Sequence, residues 1–244
     1  MEIVTLRGLD GLEAVRDPVV IFDVFRASNT IIALLAAGAD GVALIADLDE
    51  AYALKAAHPD WILAGERGGA PQPGFDGDNS PARAPDLRPA GRRAILTTSA
   101  GTQAVARLAN AAAVFYGSFA NAAALTHHLR ALDPPRLALL PMGYRAVAPA
   151  LEDDLAAMYL EQGLLGAPPD FAPLQERLLN SEAAGRLRGL GNEADLAFCT
   201  TLDHQPVVPR VGFGAYPLAL AAPDPAAQTL PSRGPRCRNP AGPP

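Results

Sequence analysis

Five polar clusters in this sequence each follow an apolar run, and their residue types suit the binding of anions and cations. Asp23 and Arg26 stand in "FDVFRASNT", and Glu66 and Arg67 open "GERGGAPQPGFDGDNSP". Hydroxyls and glycine fill "TTSAGT", "GSFAN" closes a further run, and Arg145 sits in "MGYR". Guanidinium groups at Arg26, Arg67 and Arg145 can each hold phosphate, sulfonate or carboxylate through two N–H groups. Hydroxyls and glycines that open helices present backbone N–H groups at the positive end of the helix dipole, as "TTSAGT" and "GSFAN" would. The same residues also make good helix caps. Caps do not require an arginine beside an acid, however, as at Asp23 with Arg26 and Glu66 with Arg67. A multiply anionic small molecule fits the set.

Carboxylates at such a site need a reason, because two unit charges ~4 Å apart repel by about 4 kcal/mol at an effective dielectric near 20. A divalent cation resolves the conflict. Asp23, Glu66, Glu152 and Asp153 offer oxygen ligands with no histidine among them, a set that favours Mg²⁺ over Zn²⁺. In "ALEDDLAA" the acids would also complement the dipole of the helix they open. The histidines offer no better site. His127 and His128 point apart on one helix, His58 precedes a proline at a helix end, and His204 lies near the last strand. Lys55, the only lysine, falls mid-helix and is expected on a solvated face.

Several chemistries are excluded. No GxxxxGK[ST], GxGxxG after a strand, GxSxG or HExxH occurs. "FDVFRASNT" approaches the DxDx[TV] of aspartyl-phosphate enzymes, but Phe25 occupies the second acid's place. Metal-assisted hydrolysis of a phosphate ester survives, with two alternatives: a non-catalytic sensor of phosphorylated or sulfonated metabolites, and a phosphatase acting on a different phospho-hydroxy acid.

The elements that must position these residues read from hydrophobic period. Strand-length apolar runs at 19–24, 42–46, 61–65, 94–98, 113–117 and 137–141 alternate with helical segments at 28–39, 48–57, 102–111 and 119–132. Alternation of this kind predicts an α/β fold, a mostly parallel sheet with helices on both faces in three α/β/α layers. In an open sheet of that type the ligand lies beyond the carboxyl ends of the strands, where the polar clusters fall. Further helices are expected from 150 onward, then one final short strand. No repeat of fixed period emerges. Residues 1–222 are read as one domain, and 223–244, rich in Pro, Gly and Arg, as a disordered tail.

A net charge of −6 leaves no basic footprint for nucleic acid. No apolar run reaches the ~18 residues of a membrane span, and the N-terminus lacks a signal-peptide pattern, so a cytoplasmic protein without membrane contact is expected. Cys199 and Cys237 are too few for a disulfide framework and read as structural thiols. A homodimer is the default assembly.

Taken in order, "VIFDVFRASNT", "GERGGAPQPGFDGDNSP", "LTTSAGT", "GSFAN" and "ALEDDLAA" resemble the 2-phosphosulfolactate phosphatase (ComB-like) family, and "GLGNEADLAFCTTLDHQPVVP" resembles its closing block. The resemblance covers about residues 19–209. It implies that family's α/β fold and Mg²⁺-dependent hydrolysis of 2-phospho-3-sulfolactate to 3-sulfolactate and phosphate, a step in coenzyme M synthesis. By position it implies roles for Asp23 and Arg26 from the first block and for Glu66, Arg67, Asp76, Asn79 and Ser80 from the second. Thr97, Thr98, Gly101 and Thr102 match the third block, Ser118 and Asn121 the fourth, and Glu152 and Asp153 the fifth. Asp23, Glu66 and Arg26 are the expected catalytic residues. The sequence departs from the family pattern at Gly77 and Asp78 and at Ser99 and Ala100, all in expected substrate loops.

Overall fold

The computed structural model describes residues 1–99 and 101–223. In chain order the elements are β1 (Glu2–Thr5), β2 (Val19–Phe22), α1 (Ala27–Ala36), β3 (Gly41–Leu44), α2 (Leu48–Ala57), β4 (Ile62–Gly65), β5 (Gly77–Asp78), β6 (Arg93–Thr97) and α3 (Gly101–Arg107). They continue with β7 (Val114–Gly117), α4 (Ala122–Leu132), β8 (Arg136–Pro141), α5 (Leu151–Leu164), α6 (Phe171–Leu179), α7 (Glu182–Gly189), α8 (Glu193–Cys199), β9 (Pro209–Phe213) and β10 (Pro217–Ala221). Ala100 and residues 224–244, which hold Cys237 and nearly all of the expected tail, lie outside the described residues.

The apolar runs form strands without polar alternation because both sheet faces are covered. On one face Val19 and Ile21 of β2 pack with Ile31 and Leu34 of α1 and with Val105 of α3. On the other, Val20 and Phe22 pack with Leu125 of α4, Leu160 of α5 and Leu178 of α6. Ala43 of β3, Leu63 of β4 and Ile95 of β6 pack with Ala51 of α2. This is the three-layer α/β/α arrangement that the sequence period predicts.

The sheet order is β1-β8-β2-β7-β9-β10-β3-β6-β4-β5. Pairing is parallel within β1-β8-β2-β7 and within β3-β6-β4-β5. Between these halves lies the hairpin β9-β10, which is antiparallel to β7 and to β3. Three reversals separate the halves, so they run in opposite senses. That corrects the expectation of one common strand edge: the carboxyl ends at the site come from two halves of a mixed sheet. Two units with the same element order, β2-α1-β3-α2-β4 and β6-α3-β7-α4-β8, make up these halves. Each places its first strand between the second and third strands of the other. This repeat has no counterpart in the sequence period.

Helix α1 begins at Ala27 and ends at Ala36, and nine of its ten residues are buried. It packs on β7, β9, β10 and β3. Lys55, expected in solvent, is half-buried and donates from Nζ to Asp76 Oδ2 at 2.8 Å and to the Trp61 carbonyl at 2.5 Å. Burial alone would raise the Asp76 pKa, but the Leu63 N–H and Lys55 outweigh it and hold the carboxyl below its usual value. Asp76 thus anchors the start of β4 rather than the site. Among the described residues no helix is long and apolar enough to cross a membrane.

Candidate active site

A cavity of about 200 Å³ opens where the segments after β2, β4, β6 and β8 meet the first turn of α5, with α7 forming one wall. The turn after β2 is locked by its own polar groups. Asp23 N–H donates to Ser28 Oγ at 2.9 Å, and Asn29 Nδ2 donates to the Val24 carbonyl at 2.8 Å. Asp23 Oδ1 accepts from Ala27 N–H at 3.2 Å, at the first residue of α1. Across from it lies Gly101, the first residue of α3. A Cβ there would stand 2.9 Å from Asp23 Oδ2 and 3.2 Å from Ala27 Cβ, so glycine is what lets the two helix starts close around one carboxyl.

Asp23, Glu66, Glu152 and Asp153 all line the cavity. Burial, then the Glu66 and Glu152 carboxylates, push the Asp23 pKa up from 3.8 to about 6, against the Ala27 and Gly101 N–H groups. Asp153 is buried; its Oδ1 accepts from Val24 N–H at 2.8 Å and its Oδ2 from Gly143 N–H at 2.9 Å. Even so, burial and the charges of Asp23 and Glu152 push its pKa well up. Burial also raises Glu152, with Arg186 opposing. Glu66 accepts from Ser99 N–H at 2.7 Å and from Gly69 N–H at 2.8 Å, tying the segment after β4 to the one after β6.

Arg26 is 4% exposed and lines the cavity. Its Nη1 donates to Asp195 Oδ2 at 2.6 Å, and Asp78 Oδ2 lies 4.0 Å away. Asp195 Oδ1 accepts from Ser80 Oγ at 2.5 Å and from Ala82 N–H at 3.1 Å. One buried carboxylate therefore fixes both the guanidinium at the start of α1 and the loop after β5. Asn79 of that loop lines the cavity, and its buried Oδ1 has no hydrogen-bond partner. Thr98 and Arg145 complete the expected residues that reach the cavity or its edge, together with Gly101 beneath Asp23.

Other expected binding residues do not line it. Arg67 spends its donors on the Glu66 carbonyl, the Ala46 carbonyl and Thr97 Oγ1, at 2.7, 2.9 and 2.6 Å. Arg67 and Thr97 therefore brace strand ends, and neither lines the cavity. Ser80 is committed to Asp195. Thr102 Oγ1 donates to the Thr98 carbonyl at 2.9 Å and so caps α3 internally. Ser118 N–H donates to Asn121 Oδ1 at 3.0 Å, and Asn121 Nδ2 donates to the Val207 carbonyl at 2.9 Å. Asn121 therefore holds the segment leading to β9, Ser118 holds Asn121, and neither lines the cavity. Asp78, a departure from the family pattern, forms an ion pair with Arg83 beside the loop.

The sequence reading missed Tyr144, Arg186, Leu187, Leu190 and Asp195. The first four line the cavity mouth from the loop after β8 and from α7. Asp195 had one signal: it stands four residues before the buried Cys199, on the inward face of α8. Cys199 itself is wholly buried and its thiol pKa is pushed well up by that burial, in keeping with a structural role. None of the four histidines lines the cavity.

Among the described residues no three carboxylate, histidine or cysteine side chains are gathered into a ready metal cage. A Mg²⁺ ion commonly takes only one or two carboxylates and completes its shell with water and substrate phosphate. Burial and then the neighbouring carboxylates raise the Asp23 pKa, and a divalent cation would offset both. Glu66 and Asp153 give both carboxylate oxygens to backbone N–H groups and Asp23 faces those of Ala27 and Gly101, so Glu152 is the acid best suited to such an ion.

A family model described as 2-phosphosulpholactate phosphatase matches residues 7–212. A protein of Synechococcus sp. (strain RCC307) called "Probable 2-phosphosulfolactate phosphatase" is 34% identical over 221 residues, covering 81% of this chain and 90% of its own. Proteins with the same description from Thermus thermophilus and Gloeobacter violaceus are 36% and 32% identical, each over at least 80% of this chain and 89% of their own length.

Proposed function

Because the chain belongs to the 2-phosphosulpholactate phosphatase family, we propose that it is a phosphoric monoester hydrolase acting on 2-phospho-3-sulfolactate and releasing 3-sulfolactate and phosphate. The observation that carries the reading is the group of acids around Asp23, facing the buried Arg26 across one cavity. Glu152 would hold Mg²⁺ beside Asp23, and the ion would supply charge neutralisation at the phosphoryl oxygens. Arg26, kept in place by Asp195, binds the phosphate. Asn79 Oδ1, an acceptor without a donor, orients the attacking water, and Asp23 takes its proton. Water is the better nucleophile here because both oxygens of Asp23 face the starts of α1 and α3. By analogy with the family, we further propose that the reaction serves coenzyme M synthesis and that the protein acts in the cytoplasm, as a homodimer of the common two-fold kind.

The test is phosphate release from 2-phospho-3-sulfolactate and a panel of other phosphoesters, with Mg²⁺ and with chelator. Release that requires the metal and is fastest on the sulfonated ester supports the proposal. Tight binding with no release in either condition would make the protein a sensor instead.

Gly101→Ala offers a second test of the carboxyl's placement. The new Cβ would meet Asp23 Oδ2 at 2.9 Å and displace it. Misplacing a reacting group by ~1 Å costs about 10²-fold, so kcat is expected to fall toward that limit. Steady-state kinetics on the folded variant check it, and wild-type kcat would show that the Asp23 position is unimportant.

A further inference from the structure

We infer that Arg145 and Arg186, which line the cavity and both lie against the Tyr144 ring, hold a second acid group of the substrate. The site would then select phosphate monoesters bearing a carboxylate or sulfonate close to the ester oxygen. This rests on the phosphatase reading of the same cavity.

Charge in the cavity is sorted by depth. Arg26, inside, has its charge balanced by the buried Asp195 at 2.6 Å. Arg145 makes no ion pair among the described residues. Arg186 pairs at 2.8 Å with Glu182, whose side chain is 91% exposed, so the pair is well screened. Both guanidinium groups lie against a single ring: the Tyr144 centroid is 5.3 Å from the Arg145 Cζ and 4.8 Å from the Arg186 Cζ. Stacking on a ring leaves the N–H edges of a guanidinium available to oxygen acceptors.

The loop that carries Arg145 is built to hold it there. Tyr144 N–H donates to the Ala148 carbonyl at 2.7 Å and Ala148 N–H returns to the Tyr144 carbonyl at 3.2 Å. Within that closure Arg145 and Ala146 adopt φ of 54° and 58°, a left-handed conformation that is unfavourable for both residues. The loop is tied to the floor as well, since Gly143 N–H donates to Asp153 Oδ2 at 2.9 Å. Arg186 shares its wall with Glu152. A phosphate seated by Arg26 would thus leave the rest of a short substrate in a cavity that these two guanidinium groups also line, and a neutral tail would not engage them.

The test compares kcat/KM for 2-phospho-3-sulfolactate and 2-phospholactate with that for glycerol phosphate, in wild type, Arg145→Ala, Arg186→Ala and Arg186→Lys. The ratio of acid-bearing to simple ester is expected to fall at least ~10-fold in each alanine variant, through KM, with partial recovery in Arg186→Lys. An unchanged ratio overturns the inference. If wild type releases no phosphate, the phosphatase reading fails, and calorimetry with 3-sulfolactate decides the second site. Affinity at least tenfold weaker in either alanine variant upholds it. Equal affinity, or no binding to wild type, overturns it.

Discussion

Asp23→Asn is expected to abolish most turnover, by about 10²- to 10⁴-fold for loss of the proton acceptor, while making the metal-free protein more stable at neutral pH. Burial and the Glu66 and Glu152 charges raise this carboxyl from 3.8 to about 6. Between those values the folded state keeps a proton that the unfolded chain has released. Stability therefore falls as pH rises through that window and levels off above it. The shift corresponds to about 3 kcal/mol, and the partial exposure of Asp23 reduces this to ~2 kcal/mol. Urea unfolding with chelator present should show the variant equal to wild type near pH ~4 and ahead by ~2 kcal/mol near pH ~7. Saturating Mg²⁺ should narrow that gap by stabilising wild type more than the variant. A fully active variant removes Asp23 from the chemistry. A variant less stable at neutral pH shows that its charge is not the burden its surroundings imply.

Asp195→Ala should be the most destabilising single change near the site. Asp195 is 1% exposed and is the close partner of Arg26, itself 4% exposed. Removing the carboxylate leaves a buried guanidinium with only Asp78, 4.0 Å away, and strands the Ser80 hydroxyl and the Ala82 N–H. Breaking one side of such a pair costs about 3–5 kcal/mol, which in a protein of this size lowers Tm by roughly 6–20 °C. Replacing both partners with apolar residues, as in Arg26→Met with Asp195→Leu, should recover much of the loss without restoring activity. Thermal unfolding of the single and double variants tests this. A drop below ~1 kcal/mol for Asp195→Ala would mean that water reaches Arg26 and satisfies it.

Much of the three-layer architecture was legible because β2, β3, β4, β6, β7 and β8 are short apolar runs separated by helix-length segments. The reversal of half the sheet was not. Strand order depends on pairings between distant segments, and the hairpin that imposes it starts its strands at Pro209 and Pro217, residues that argue against a central strand. β1 was missed because it is four residues long at a sheet edge, and β5 because it has only two. At the site, Asp23, Glu66, Glu152 and Asp153 could be found because each follows a buried strand or opens a helix. Arg67 could not be separated from Arg26 by sequence: each sits beside an acid, and only the fold shows one guanidinium turned to backbone carbonyls and the other to the cavity. Tyr144 and Arg186 carried no signal, since an exposed loop tyrosine and a helix arginine are ordinary surface residues.

The exchange of first strands between the two units governs how the chain can acquire its shape. Within residues 1–92 the only strand ladder that can form is the short one between β4 and β5. β2, which delivers Asp23, has both of its neighbours in β7 and β8, and β3 has its neighbours in β6 and β10. A growing chain therefore gains little lasting order until its second unit has been made, and the central gap closes only when the hairpin at 209–221 arrives. Loop closures of this length are costly early and rewarded late, the regime of slow, all-or-none folding. Neither half can mature by itself, and a nick between the units would leave two fragments each lacking its middle strand.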